Sequence, residues 1–173
     1  MDELQATTQM QFLKFHLAGQ NYAFDVLKVH EVLSLVKITP LPSSMDFLSG
    51  VINLRGSVIP VVDLKKKFGM PAAASTVDSS IIIVDLIHEG EATMIGALVD
   101  AVKGVLRCES KDLEPPPRFG MKLNTHIVHA IAKKDGDFVV ILDTDKVFSD
   151  QELWLIQEEQ ATAVAPTEAA AAN

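Results

Sequence analysis

The sequence contains one cysteine, one tryptophan and one tyrosine among its 173 residues, and this scarcity excludes several classes of protein. A single cysteine, Cys108, can form no internal disulfide and cannot build a thiolate zinc site, which fits a cytoplasmic protein. With 6% aromatic residues, the chain offers few platforms on which bases could stack. Its formal net charge of -8 would repel a phosphate backbone, so we expect no nucleic-acid partner.

Long apolar runs are also missing. The densest run, IIIVDLI at residues 81–87, is far shorter than the roughly 18 residues that span a bilayer. Residues 1–10 carry acids and no basic segment ahead of an apolar stretch, so they do not resemble a secretory signal. We therefore expect no insertion into a membrane. The 48% hydrophobic content is enough to fill one domain or two small lobes that share a core.

Short strands separated by turn residues dominate what is present. In QFLKFHL, residues 11–17, the apolar Leu13, Phe15 and Leu17 alternate with polar residues, as in a half-buried strand. YAFDVLKVHEVL then predicts a strand, a short turn and a second strand. Later strands are predicted at 80–87, 93–99 and 102–108, followed by a hairpin over 126–142 that turns at Asp135-Gly136. Such spacing is typical of small β-barrels.

The hairpin GVINLRGSVIPVVDL, residues 50–64, places one guanidinium between two aliphatic arms. A loop ending in one helical turn is predicted to lead into it at Gly50. Pro60 cannot donate to a ladder, so the second arm is predicted to be an edge strand or to contain a bulge. Arg55 is either a solvated charge at the tip or an anchor for a partner, because its planar fork can pair with a carboxylate or with carbonyls.

Two segments echo each other: PVVDLKKKF and VILDTDKVF both run from an aliphatic strand through Asp and a Lys-bearing turn to Phe. Asp63 and Asp143 are predicted to cap short helices, and either a duplicated lobe or this common cap explains the echo. Lys65 to Lys67 are predicted to form a solvated face. Ser149 and Glu152 predict a capping box that opens a terminal helix, and the Ala-rich tail from Ala161 is expected to be disordered.

No arrangement of reactive side chains predicts catalysis or a metal site. Of the five histidines, His126 and His129 would face opposite sides of a predicted strand, and the others are ordinary surface or core positions. The carboxylates have local explanations as caps or turn residues, and no phosphate-binding loop, dinucleotide fingerprint or nucleophile elbow is present. Cys108 is interpreted as a small hydrophobic residue. We expect no catalytic residue, no metal and no cofactor.

The segment NLRGSVIPVVDLKKKFG, residues 53–69, resembles the core motif of the CheW family, the coupling proteins of bacterial chemotaxis. The likeness extends through YAFDVLKVHEVL, LPSSMDFLSGVINLRG, GALVDAVKGVL and ILDTDKVFSDQEL. It implies a mainly β fold of two small five-stranded SH3-like barrel lobes on a shared hydrophobic core, with short helices and a C-terminal helix. The expected organisation is a tail at 1–10, a CheW-like domain at 11–155 with lobes near 11–80 and 81–148, and a helix end and tail at 156–173.

The resemblance also implies a function: a non-catalytic, stand-alone adapter without a cofactor. Members of the family bind the cytoplasmic tip of chemoreceptors and the regulatory domain of the histidine kinase CheA, which places them at the inner face of the membrane, and ring assembly with kinase domains is a further expectation. Kinase-contacting residues are not assigned. The positions that match receptor-contacting parts of the family, and that would line a groove between the lobes, are Val29, Glu31, Gly50, Leu54, Arg55 and Val105.

Other functions remain open from the sequence. The same pattern of strands would suit a β-barrel that binds another ligand, or an adapter in a pathway for pilus or gliding motility. The segment DAVKGV, residues 100–105, departs from charged or polar variants in relatives and leaves partner specificity open.

Overall fold

The computed structural model describes residues 9–42, 45–71, 74–117 and 125–160. Within them the chain is mainly β, as predicted. Its strands are β1 (Met10–Leu17), β2 (Gln20–Asp25), β3 (Val29–Ser34), β4 (Leu48–Leu54), β5 (Ser57–Asp63), β6 (Ser80–His88), β7 (Glu91–Val99), β8 (Ala101–Cys108), β9 (Leu113–Glu114), β10 (Val128–Lys134) and β11 (Asp137–Leu142). The α-helices are α1 (Leu64–Lys67), α2 (Thr144–Val147) and α3, over 150–160. Short 3₁₀ helices cover Val26–Lys28, Ser110–Asp112 and Thr125–Ile127.

The strands form two sheets with the same internal plan. Sheet A has the order β8-β1-β2-β11-β10-β9, and sheet B has the order β3-β6-β7-β5-β4. In each sheet two antiparallel hairpins are joined by a parallel pair, β2 with β11 in sheet A and β7 with β5 in sheet B. In each sheet a short helix follows one strand of the parallel pair: α2 follows β11 in sheet A, and α1 follows β5 in sheet B. The echo noted in the sequence therefore marks equivalent elements of two similar sheets.

The two sheets do not follow the predicted division of the chain near residue 80. Sheet B takes all its strands from residues 29–99, including β6 and β7, whereas sheet A combines β1 and β2 with strands that follow residue 100. The reason is the pairing of β1 with β8 and of β2 with β11, which brings the N-terminal hairpin to the C-terminal half. Sheet A also has a sixth strand, the two-residue β9.

A shared apolar core lies between the sheets. Phe15 and Phe24 of sheet A, whose ring centroids are 4.8 Å apart, belong to the same buried cluster as Ile82 and Ile95 of sheet B. Each fully buried side chain of this kind contributes about 1.5–3 kcal/mol. The cluster also takes Leu153 from helix α3. The core therefore joins both sheets and the terminal helix into one unit.

The hairpin turns follow one pattern, with a left-handed non-glycine residue before a glycine. The pairs are Ala18-Gly19, Arg55-Gly56, Glu89-Gly90 and Asp135-Gly136. Positive φ at both positions matches the right-handed twist of the flanking strands. The predicted turn at Asp135-Gly136 is confirmed.

Three local predictions are wrong. In place of the helical turn expected before Gly50, residues 45–48 form a hydrogen-bonded turn in which the Leu48 N–H donates to the Met45 carbonyl at 3.2 Å, and β4 begins at Leu48. His126 lies in a 3₁₀ helix, so the argument that placed it on one strand with His129 does not hold. Strand β5 lies inside sheet B rather than at its edge; Pro60 is tolerated because β5 pairs with β7 only from Val61 onward. The predicted disorder from Ala161 lies outside the described residues.

Candidate functional site

Arg55 occupies the first position of the turn between β4 and β5, with φ of 49°. This backbone conformation favours Asn, Asp or Gly, so a long charged side chain is not what the turn itself requires. Asn53 supports the turn instead, because its side-chain oxygen accepts a hydrogen bond of 2.9 Å from the Gly56 N–H. The Arg55 side chain is 68% exposed. It is therefore held at a fixed place and remains accessible.

The partner of Arg55 within the chain is Glu31, on strand β3. Both terminal nitrogens of the guanidinium donate to the carboxylate, the Nη1 contact being 3.5 Å long. This hydrogen bond, supported by the positive charge, lowers the pKa of Glu31 below its ordinary value and raises that of Arg55. Because β3 and β4 end the strand order of sheet B, the ion pair joins the two edges of that sheet.

A histidine extends this charged row. His30 Nδ1 lies 3.1 Å from Asp85 Oδ2, and its Nε2 lies 3.8 Å from Glu31 Oε1. The sequence predicted only an ordinary histidine beside Glu31, since Asp85 is distant along the chain. Pairing of β3 with β6 brings the two residues together. Arg55, Glu31, His30 and Asp85 thus form an alternating set of charged and titratable groups on the surface of sheet B.

Gly50 has a clear structural role in the same hairpin. Its φ is 146°, and a Cβ atom there would lie 2.1 Å from the backbone oxygen of Thr39. The segment before β4 packs against it through the two hydrogen bonds, each 2.8 Å long, between Thr39 and Val51. Only glycine allows this close approach of two backbones.

The remaining predicted residues differ in accessibility. Leu54 is 9% exposed and belongs to a buried cluster within sheet B, whereas Val105 is 55% exposed. Val29 is half-buried at the start of β3, against the shared core. Val105 lies on β8, an edge strand of sheet A, opposite Leu13. The structure therefore brings Glu31 and Arg55 into contact and places all six predicted positions on, or at the tip of, edge strands of the two sheets.

The run Lys65 to Lys67 is not the solvated face that was predicted. The ammonium of Lys65 lies 2.7 Å from Asp100 Oδ1, and its side chain is only 9% exposed. Lys67 pairs with the Glu152 carboxylate and its side chain is 10% exposed. Lys66 alone is exposed. No local pattern indicated this, because both acidic partners come from distant parts of the chain.

The predicted caps are present. The Asp63 carboxylate accepts from the backbone N–H groups of Lys65 and Lys66, and Asp143 accepts from those of Asp145 and Lys146. Ser149 Oγ accepts from the Glu152 N–H at 3.2 Å, which is one half of the predicted capping box. The Glu152 carboxylate pairs with Lys67. These aspartates thus organise short helices.

Other titratable groups have structural surroundings. His88, expected to lie at a turn, is 3% exposed at the end of β6, and its Nδ1 lies 3.3 Å from Asp150 Oδ1 on α3. Burial raises the pKa of the Cys108 thiol.

Across 9–42, 45–71, 74–117 and 125–160, no three His, Cys, Asp or Glu side chains are grouped so as to hold a metal ion. No helix in that part of the chain is long and apolar enough to cross a bilayer.

This geometry is that of a β domain that offers charged and apolar edge strands for contact with another molecule. Comparison with known proteins identifies the family of this β domain. The model of the CheW-like domain matches residues 11–152. A chemotaxis protein CheW from Thermotoga maritima is 36% identical over 84% of this chain and 91% of that protein. Another, from Klebsiella aerogenes, is 29% identical over 87% of this chain and 88% of that protein.

A solved structure agrees. The crystal structure of the scaffolding protein TtCheW from Thermoanaerobacter tengcongensis aligns with a TM-score of 0.73 and 37% identity, covering 84% of this chain and 96% of that one. The chain belongs to the CheW-like domain family. The resemblance and the fold class drawn from the sequence are thereby confirmed.

Proposed function

We propose that this protein is a non-catalytic chemotaxis adapter that couples the cytoplasmic tips of chemoreceptors to a CheA-type histidine kinase. The proposal is supported by the family, by relatives named chemotaxis protein CheW and by a structural neighbour described as a scaffolding protein. In this role it works in the cytoplasm, at the inner face of the membrane, where receptors hold it.

The observation that carries the proposal is the placement of Arg55. A solvent-exposed guanidinium stands on a backbone that would prefer a small residue, and it is paired with Glu31 from the opposite edge of the sheet. Arginine is frequent among interface hot spots, and the fixed backbone position of this turn limits where the side chain can meet a partner. The receptor-binding face then consists of Arg55 and Glu31 together with four positions on the edge strands β3, β4 and β8: Val29, Gly50, Leu54 and Val105.

The proposed contacts differ in kind. Arg55, Glu31 and Val105 are accessible to a partner, whereas Leu54 is mostly buried and Gly50 shapes the backbone beneath the hairpin. Substitutions of Arg55 or Val105 should therefore act directly on binding. Changes at Gly50 or Leu54 should act through the shape of sheet B.

The test is co-sedimentation of the protein with receptor-containing membranes. Arg55→Ala should weaken binding roughly tenfold or more while leaving the melting temperature within about 3 °C of the parent. The matched control is Asp135→Ala, at the equivalent turn position of sheet A, where φ is 55°. Like Arg55→Ala, this variant replaces a residue of positive φ by alanine, but it should leave receptor binding intact. Equal binding by the two variants would refute the assignment of Arg55; a lowered melting temperature for Arg55→Ala alone would make its role structural.

A further inference from the structure

The chain crosses from one sheet to the other at two places, and each crossing carries an ion pair. The 3₁₀ helix Val26–Lys28 leads from β2 of sheet A to β3 of sheet B, and Lys28 Nζ lies 3.2 Å from Asp145 Oδ2 on α2. The single residue Asp100 leads from β7 of sheet B to β8 of sheet A, and its Oδ1 lies 2.7 Å from Lys65 Nζ on α1.

The two ion pairs occupy equivalent positions with their charges exchanged. Asp145 and Lys65 are each the second residue of the short helix that follows a capping aspartate. In one crossing the helix supplies the acid and the linker supplies the base; in the other the roles are reversed. The duplicated plan of the sheets thus extends to the connections between them.

The surroundings of the two pairs differ. At the Lys65–Asp100 crossing the side chains are 9% and 34% exposed, whereas at the Lys28–Asp145 crossing they are 41% and 55% exposed. An exposed pair is weakened by water and salt and holds its side chains loosely. A pair shielded from solvent, with a direct short contact, keeps one geometry.

Asp100 is also held by sheet A. Its second carboxylate oxygen accepts from the Ala18 N–H at 2.8 Å, and its own N–H donates to the His16 carbonyl at 3.0 Å. Ala18 and His16 belong to the β1–β2 hairpin, while Lys65 belongs to the helix that follows β5 of sheet B. One residue is therefore bonded to both sheets at the point where the chain passes between them.

Bonds of this kind control orientation in a way that the apolar core does not. Hydrophobic burial is non-directional, so it does not by itself specify one angle between two sheets on a shared core. Hydrogen bonds and close ion pairs have preferred distances and angles. Replacing a buried ion pair by apolar residues is often neutral for stability, and its contribution can lie in specifying one geometry.

We propose that Lys65 and Asp100 are positioning residues that fix the angle between sheets A and B, and hence the placement of Val105 of sheet A relative to Glu31 and Arg55 of sheet B within the receptor-binding face. The Lys28–Asp145 crossing does not set this angle. The functional half of this proposal, the effect on binding, rests on the adapter role proposed above. The structural half, the effect on the angle between the sheets, does not depend on that role.

The test compares two double variants. Lys65→Met with Asp100→Asn removes both charges, keeps the aliphatic stem of residue 65 and leaves an amide oxygen to accept from Ala18. Lys28→Met with Asp145→Asn is the matched control. Spin labels at the exposed positions 91 and 137, one on each sheet, report the inter-sheet distance by pulsed EPR in a Cys108→Ala background. The first variant should broaden the distance distribution or shift it by about 2 Å or more, and the control should match the parent.

An unchanged distribution in the first variant, or an equal change in the control, would overturn the proposal. Should the double variant fail to fold, Lys65→Met alone serves the same comparison, because Asp100 then keeps its bonds to sheet A and remains partly solvated. The melting temperature should stay within about 5 °C of the parent, since charge removal here is nearly neutral.

A functional measurement separates positioning from general structural damage. Binding of the first variant to receptor should weaken roughly tenfold, because its receptor-binding positions lie on both sheets, while its binding to the kinase regulatory domain should stay within about twofold of the parent. Parallel losses in both affinities would contradict a positioning role, as would unchanged receptor binding despite altered distances. If the parent binds neither partner, the adapter function fails, and the distance measurement still decides the structural half.

Discussion

The β4–β5 hairpin of sheet B and the β10–β11 hairpin of sheet A have the same backbone plan but different side chains at two key places. Both contain a register irregularity near the start of the first strand, a left-handed residue before glycine at the turn, and a capping aspartate after the second strand. The equivalent pairs that differ are Gly50 with Ala130 and Arg55 with Asp135.

The differences separate what the fold needs from what it does not. Asp135 is a residue that the turn favours, so the hairpin of sheet A shows what satisfies the backbone alone. Arg55 stands at the same conformation with a longer side chain, and it reaches across to Glu31 on the other edge of its sheet. Because the turn gains nothing from a guanidinium, the backbone does not explain Arg55, and the proposed contact with a partner rests on this difference between equivalent hairpins.

The largest effect is expected from making the two hairpins alike at residue 50. Gly50→Ala, which copies Ala130 of sheet A, places a Cβ atom 2.1 Å from the Thr39 carbonyl oxygen, and the backbone on one side must move. We expect a loss of about 3 kcal/mol or more in the free energy of unfolding, measured by urea denaturation.

The reverse substitution is the control. Ala130→Gly should cost only about 1 kcal/mol, because it removes one methyl group and adds chain entropy to the unfolded state. Similar losses for the two variants would mean that the backbone approach at Gly50 relaxes freely, and that this difference between the hairpins has no structural cause.

A smaller and nearly equal effect is expected at the two capping aspartates. Asp63→Ala and Asp143→Ala each remove one carboxylate that accepts from two backbone N–H groups, so each should lower the free energy of unfolding by about 1 kcal/mol. Asp→Asn at either position keeps an accepting oxygen and should cost much less. A loss at one aspartate several times that at the other would break the equivalence of the two hairpins.

The smallest effect is the acid dependence of the Glu31–Arg55 pair. Arg55 holds the pKa of Glu31 below 4.5, so the pair stabilises the folded state above that pH, and its contribution disappears as pH falls through the lower, folded-state pKa. The difference in melting temperature between the parent and Arg55→Ala should therefore be largest at neutral pH and shrink as the solution is acidified through the lowered pKa of Glu31. In a Glu31→Gln background that pH dependence should be absent; its persistence there would assign the titration to another group.

Local sequence signals predicted the parts of the fold that depend on neighbouring residues. Alternation of apolar and polar residues predicted strand β1, and the pair Asp135-Gly136 predicted the turn of the β10–β11 hairpin. Asp63 and Asp143 were predicted correctly as helix caps. Local signals could not predict the strand order of the sheets, because that order depends on pairing between β1 and β8, which are about ninety residues apart.

The candidate site was predicted in part. The resemblance singled out Glu31 and Arg55, and the structure adds that they are bonded to each other. His30 and Asp85 joined the site only through the register of β3 with β6. Lys65 was assigned to solvent because its run of three lysines is typical of exposed helices, and its partner Asp100 lies in another part of the sequence. Charge pairing across sheets was the information that the sequence did not supply.

In the proposed function, one molecule of this protein holds a receptor and a kinase at the same time. The direct measurement is sedimentation of receptor-containing membranes with the kinase regulatory domain, in the presence and absence of the protein. Coupling predicts that the kinase domain enters the pellet only when the protein is added and that Arg55→Ala abolishes most of this recruitment. Kinase sedimentation that is the same without the protein, or that never occurs with it, would contradict the account.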